Sequence, residues 1–294
     1  HGQKTCVQIE NRNGIGEMRD GQILFLTAAI LIGNIVFSYQ GFKNLSFQEK
    51  FLLHVRSIVV NKEYHRYFTS GFLHADWTHL IFNMMSFWFF ANNVGMSFGP
   101  FPFMAIYVGS LLVGNLLAVQ LNKSNFNYRA LGASGAVAGI IFSSILVNPY
   151  QTILIFFIPM PAWLFAIGYV LFSIYGIKKQ NDRIGHEAHL GGAITGVLLS
   201  VLFQPEIMMQ HTWLFLALIL PTTFFLFSMQ LGWKWKSISS KTVSKKKLEE
   251  FRKEDFSLES EINYLLDKIS DKGYNSLTEA EKKRLDQLSK KNNQ

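Results

Sequence analysis

The chain has 294 residues, of which 49% are hydrophobic, 15% aromatic and only 16% charged, too apolar a balance for an ordinary soluble domain. Its formal net charge of +8 sits in loops and in the tail beside hydrophobic segments, which points to a membrane surface and away from a nucleic-acid partner. A single cysteine, Cys6, excludes an internal disulfide framework and any cysteine-based metal site.

Residues 1–20 lack an apolar core and show no signal peptide, and residues 1–22 read as an N-terminal leader. Ile23 to Tyr39 is nearly free of charge and about the minimum length for a membrane span, and forms segment one. From Gln40 to Ser70 the chain turns mixed and basic. Phe47, Phe51, Leu52, Val55, Ile58 and Val59 fall roughly on one helix face there, which predicts an interfacial loop with an amphipathic helix. Segment two runs from about Leu73 to Ala91, three from Phe101 to Leu121 and four from Leu131 to Val147. Segment five takes Ile153 to Ile177, six Ala188 to Phe203 and seven Trp213 to Leu231. Trp213, Trp233 and Trp235 flank the last segment, where aromatic belts belong.

Lys234 onward is dense in Lys and Glu and begins a soluble tail. Leu258, Ile262, Leu265, Leu266 and Ile269 repeat at helical spacing, and Gly273 ends that helix. Thr278 and Glu281 form a capping-box signature for a second helix carrying Leu285 and Leu288. The expected organisation is a leader (1–22), a membrane core (23–203), a seventh span (204–233) and a charged helical tail (234–294).

Gly132-Ala133-Ser134-Gly135 opens an apolar run instead of sitting in a polar loop, so an uncrowded hydroxyl stands at the head of a membrane helix. Serine and glycine together in such a helix usually serve close packing, and Gly135-x-x-x-Gly139 has that spacing. Other polar residues reach the same depth, however, and each costs roughly a few kcal/mol to bury in a bilayer. Segment two opens with His74, Asp76 and His79 and carries Asn83 four residues on, which puts His79 and Asn83 on one face. Segment six opens with His186, Glu187 and His189, followed by Gly191, Gly192 and Gly196. Segments two, four and six cross in the same direction, so His79, Asn83, Ser134 and His189 converge on one layer below one surface.

A serine hydroxyl is a weak nucleophile that needs an adjacent base, and imidazole suits that role near neutral pH. His189 is the candidate base. Backbone N–H groups at the start of segment four, with the Asn83 and His79 side chains, are candidate oxyanion donors. No Asp lies at this depth in segment six, so a Ser–His dyad is the natural form. Gly192-x-x-x-Gly196 facing Gly135-x-x-x-Gly139 lets the two helices approach closely enough for the pair to meet. A zinc site built from His74, Asp76, His79 and His186 is the rival use, but the HExxH spacing is absent, and neither metal nor cofactor is called for.

Three motifs, in order on segments two, four and six, resemble those of the rhomboid family of intramembrane serine proteases over about Tyr64 to Phe203. The first runs from Arg66-Tyr67-Phe68 through Gly71-Phe72-Leu73-His74 to His79 and Asn83, similar to the family's loop-one exit and H-x-x-x-x-H-x-x-x-N signature. The others are Gly132-Ala133-Ser134-Gly135, similar to G-x-S-G, and Ala188-His189-Leu190-Gly191-Gly192, similar to A-H-x-x-G.

The resemblance implies an all-α membrane helix bundle with six helices in the core, a seventh after it and a small helical tail. It implies Ser134 as nucleophile, His189 as base, and Asn83, His79 and the Ser134 N–H as oxyanion donors. The implied activity is hydrolysis of peptide bonds in or beside transmembrane helices of protein substrates in the lipid bilayer. The alternative is a catalytically silent relative that binds membrane clients. Ala138 departs from the pattern, since many rhomboids have an aromatic there, four residues after the nucleophile, stacked on the catalytic imidazole. The acidic residue often found after segment two is replaced by Val94-Gly95-Met96-Ser97, and His65 stands where some members have Trp before Arg66.

Basic residues flank the odd loops, which by the positive-inside rule puts the site face and tail in the cytoplasm. The resemblance implies the reverse, an outward site face in a bacterial inner membrane. The reading adopted follows the resemblance, because loop one is long and partly structured.

Overall fold

The computed structural model describes residues 2–155, 157–179, 184–231, 261, 265, 268–269 and 274–292. Helix α1 runs Gly2–Lys43, through the expected leader without a break, and its membrane-length part is Met18–Lys43. Loop one is more divided than its periodicity suggested. It folds as α2 (Leu45–Phe51), strand β1 (Leu53–His54), α3 (Val55–Val59), α4 (Arg66–Thr69) and a 3₁₀ turn at Ser70–Phe72, in place of one amphipathic helix. The reason is local. Asn44 caps α2 by accepting from the Phe47 N–H at 3.1 Å, and β1 then leaves the helical path to pair with β2 (Arg129–Ala130). Buried Arg66 holds the rest together, donating to the Glu49 carbonyl at 2.7 Å and the Leu52 carbonyl at 2.8 Å and pairing with Glu63.

The long helices that follow are α5 (Trp77–Phe98), α6 (Pro100–Leu121), α7 (Ser134–Val147), α8 (Ala162–Lys179), α9 (His186–Phe203) and, after the short α10 (Pro205–Gln210), α11 (Thr212–Gln230). Helix α5 begins four residues later than expected, because Asp76 is its N-cap and accepts from the His79 N–H at 2.8 Å. Segment five is corrected more deeply. Ile153 to Pro161 does not join the span but forms a hairpin of β3 (Thr152–Ile155) and β4 (Ile158–Pro161), whose two prolines cannot continue a helix ladder.

Among the described residues five helices are long and apolar enough to cross a membrane, and the chain is an integral multi-pass, all-α membrane protein. The two remaining long elements are informative. At 22 residues α5 has the length, but it carries His79, Asn83, Asn92 and Asn93. At 14 residues α7 rises only about 21 Å against a hydrocarbon core of about 30 Å, too short to reach both faces of the bilayer. These are the helices that hold the polar residues singled out above.

Helix α7 is the centre of the bundle, with eleven of its fourteen residues buried. It packs on α6 and α9 through glycines. A Cβ on Gly192 would strike the Gly135 carbonyl oxygen, and one on Gly196 would strike that of Gly139. Phe87, Phe103, Tyr107 and Phe142 fill the remaining core.

The tail is a second compact unit. Its helix α12 (Glu279–Asn292) starts with the expected capping box: the Thr278 N–H donates to Glu281 at 2.8 Å and the Glu281 N–H to the Thr278 hydroxyl at 3.3 Å. Leu265 and Leu277 are buried against Ile269 and Leu285, and Lys268 pairs with Glu281. Trp233, Trp235, Leu258, Ile262, Leu266 and Gly273 lie outside the described residues.

Candidate active site

Ser134 is the first residue of α7 and His189 lies in the first turn of α9. Glycine contacts bring those two helix starts together: a Cβ on Gly135 would stand 3.1 Å from the Ala188 carbonyl oxygen, one residue before His189. The Ser134 hydroxyl and the His189 Nε2 are 2.6 Å apart, a hydrogen bond across 55 residues of sequence. Both side chains are half-buried.

The turn leading into Ser134 has φ of +134° at Gly132, a value side-chain-bearing residues rarely adopt. A Cβ there would also meet the His79 ring at 2.8 Å, so glycine is required twice, for conformation and for space. His79 is thereby placed beside the turn, with the Ser134 hydroxyl 3.6 Å from the same point. Asn83 is buried one turn further along α5 and donates one amide hydrogen to the His79 carbonyl at 2.9 Å, which leaves its second N–H as a candidate donor. Among the described residues no side chain caps α7, so the N–H groups of Ser134, Gly135 and Ala136 at its head keep their donor capacity. The helix dipole favours negative charge at the same spot.

Loop one holds this turn from the other side. The Gly132 N–H donates to the Ser70 carbonyl at 3.0 Å, and β1 pairs with β2 just upstream, with Leu53 opposite Ala130. His74, fully buried, takes the Ala133 N–H on its Nε2 at 3.4 Å, while its Nδ1 lies 2.9 Å from the Ser38 hydroxyl. Ser38 donates to the Phe72 carbonyl at 3.0 Å, so the proton between the ring and Ser38 sits on Nδ1. A ring that accepts on Nε2 and carries its proton on Nδ1 is neutral.

The residues weighed as a zinc cluster are thus employed separately. Asp76 caps α5, His74 bridges α1 to the serine turn, and His186 packs its ring against Gly176 and edge-on to Phe172, 5.1 Å between centroids. Glu187, buried at the head of α9, accepts from Asn122 at 3.0 Å and from the Tyr128 hydroxyl at 3.4 Å. Burial and this carboxylate push Tyr128 up, so its hydroxyl stays a donor.

Sequence reasoning missed the neighbour of the imidazole. With Ala138 in α7, the ring facing His189 comes from α8: Tyr169 stacks on it at 26° with centroids 6.1 Å apart. Phe142 and Phe165 brace Tyr169 at 5.4 and 5.6 Å. The small residue at position 138 was the available signal. No spacing rule then connects it to a tyrosine 31 positions later on another helix.

The described family model of a Rhomboid domain matches residues 61–206, and a second, a family of unknown function (DUF6576), matches 249–291. A mitochondrial RHOMBOID-like protein 12 of Arabidopsis thaliana is 32% identical over 46% of this chain and 45% of its own length. A mitochondrial Rhomboid protein 1 of Saccharomyces cerevisiae is 29% identical over 52% of this chain and 45% of its own. The rhomboid protein YdcA of Bacillus subtilis is 31% identical over 49% of this chain and 69% of its own. The match thus spans about half the length of the two mitochondrial relatives.

Proposed function

The chain belongs to the rhomboid family, and from that premise we propose that it is an intramembrane serine endopeptidase working through a Ser134–His189 dyad. The observation that carries the reading is the 2.6 Å hydrogen bond between nucleophile and base. In the proposed reaction His189 Nε2 takes the Ser134 proton as the hydroxyl oxygen attacks the scissile carbonyl. The oxyanion is met by the N–H groups at the head of α7 and by the Asn83 and His79 side chains. His189 then protonates the leaving amine, and water, activated by the same imidazole, releases the acyl group. The dyad needs no metal or other cofactor for these steps.

The substrates proposed are transmembrane proteins. A bilayer-depth serine on a helix of about 21 Å reaches peptide bonds that a soluble protease does not. The relatives do not favour the expected bacterial inner membrane over another membrane, since two of them are mitochondrial by name and the third is from Bacillus subtilis. Cleavage of a model transmembrane substrate in liposomes tests the activity. The wild type is expected to cleave and to be labelled by a fluorophosphonate at Ser134, and Ser134→Ala to lose at least about 10³-fold in rate. Equal cleavage by both proteins rules the dyad out, and cleavage by neither turns the reading to the client-binding alternative.

A further inference from the structure

The hairpin that replaces the start of segment five has no part in the chemistry above, yet it exposes several large apolar side chains. From Asn148 to Ile177 the sequence contains no Asp, Glu, Lys or Arg. β3 and β4 pair in register from Thr152 opposite Pro161 to Ile155 opposite Ile158. Of the side chains they carry, Ile153 turns inward at 8% exposure, while Leu154 is 68%, Ile158 62% and the tip residue Phe157 95% exposed. Phe157 has φ of +68°, a left-handed turn conformation that is uncommon for a bulky residue and sends its ring outward.

The position of this element in the membrane follows from its neighbours. It leaves α7 after Val147, at the end opposite Ser134, and closes on α8 through the Ala162 N–H to the Gln151 carbonyl at 2.9 Å and the Trp163 N–H to the Pro149 carbonyl at 3.0 Å. Tyr150, Trp163, His211 and Trp213 gather there, with Trp163 and Trp213 at 5.8 Å and Tyr150 and Trp213 at 6.5 Å. Such a ring of amphipathic aromatics marks the boundary between headgroups and acyl chains. A hairpin whose backbone groups pair internally, with Pro159 and Pro161 contributing no N–H, can enter that boundary without stranding many donors.

We propose that the β3–β4 hairpin is an interfacial anchor whose tip, Leu154, Phe157 and Ile158, inserts into the lipid leaflet opposite the Ser134 face. Its occupant is the bilayer, because the hairpin runs without a charge from one membrane-buried helix end into the next. This role is independent of any proteolytic activity.

With its one thiol removed by Cys6→Ser, the full chain takes a bimane-type fluorophore at Phe157→Cys, and at Lys283→Cys in the exposed face of α12 as a water control. Each protein is reconstituted in phosphatidylcholine liposomes, with iodide equilibrated on both sides. The Phe157 probe is expected to be quenched severalfold more by acyl-brominated lipid than the control, and severalfold less by iodide. Iodide quenching equal to the control places the tip in water and overturns the proposal. Shielding from both quenchers shows a tip covered by protein, for instance a second copy of the chain, and overturns it equally. Phe157 is exposed, so its replacement leaves the core intact, which the melting temperature of the labelled protein verifies.

Discussion

The imidazole of His189 meets the Ser134 hydroxyl through a hydrogen bond and the face of Tyr169 through a stack, and these contacts come from different helices. An aromatic pair contributes about 0.5–1.5 kcal/mol beyond its buried area, which converts to about two- to tenfold in a rate that depends on ring orientation. Tyr169→Phe keeps the ring and is expected to retain near wild-type turnover of a model transmembrane substrate. Tyr169→Ala should lose up to about tenfold in kcat with little change in KM. An aromatic at the position where the resemblance expects one, Ala138→Tyr in the Tyr169→Ala background, should recover part of the loss. An unchanged kcat in Tyr169→Ala removes Tyr169 from the positioning of His189. His74 acts at the same scale but on the backbone, since its neutral ring ties Ala133 to α1 through Ser38.

At the scale of elements, the site depends on how closely α7 and α9 approach. Their contact is backbone against backbone, and Gly192 sits one turn after His189. A methyl group at Gly192 would strike the Gly135 carbonyl, which no rotamer change relieves. Gly192→Ala is therefore expected to cost at the upper end of the roughly 1–3 kcal/mol typical of overpacking and to lower the melting temperature in detergent. Activity should fall further than stability, because the shift moves His189 off Ser134. Gly168→Ala in α8, where a Cβ meets nothing within 4 Å, is the matched control and should change neither. If both variants melt alike, the close approach is not a stability determinant. The small-residue spacing of these helices was readable in the chain, whereas the break of segment five into hairpin and helix was not. Apolar composition reports burial in something other than water, and it does not distinguish a helix inside a bilayer from a hairpin at its edge.

For the whole molecule, the alternating direction of the helices puts the heads of α5, α7 and α9 on one face and the hairpin on the other. The charge pattern of the loops and the family resemblance disagree about which face is outward. We expect the site face and the tail to lie outside the cytoplasm, and a topology reporter fused after Lys247 in cells checks it. A signal from the cytoplasmic side reverses the orientation. Loop one contributes to the expected failure of the charge rule here, since Arg66 is buried in carbonyl contacts and Arg129 pairs with Glu49 at 3.5 Å instead of facing a lipid surface alone.

The number and order of the long apolar segments, the polar residues among them and the layer they share were determined by the sequence itself, because burying polarity in a bilayer is costly enough to show as a pattern. The same holds for the Thr278–Glu281 box, a local hydrogen-bonding rule, whereas the start of α5 behind its Asp76 cap fell four residues past the expected one. The tertiary structure alone decided three things. The division of loop one followed from β1 finding β2 across 75 positions, the stacking of Tyr169 on His189 from α8 lying beside α9, and the hairpin from the closure of Gln151 onto Ala162. Each depends on a partner far away in sequence or on a turn conformation, and neither periodicity nor composition encodes where such a partner stands.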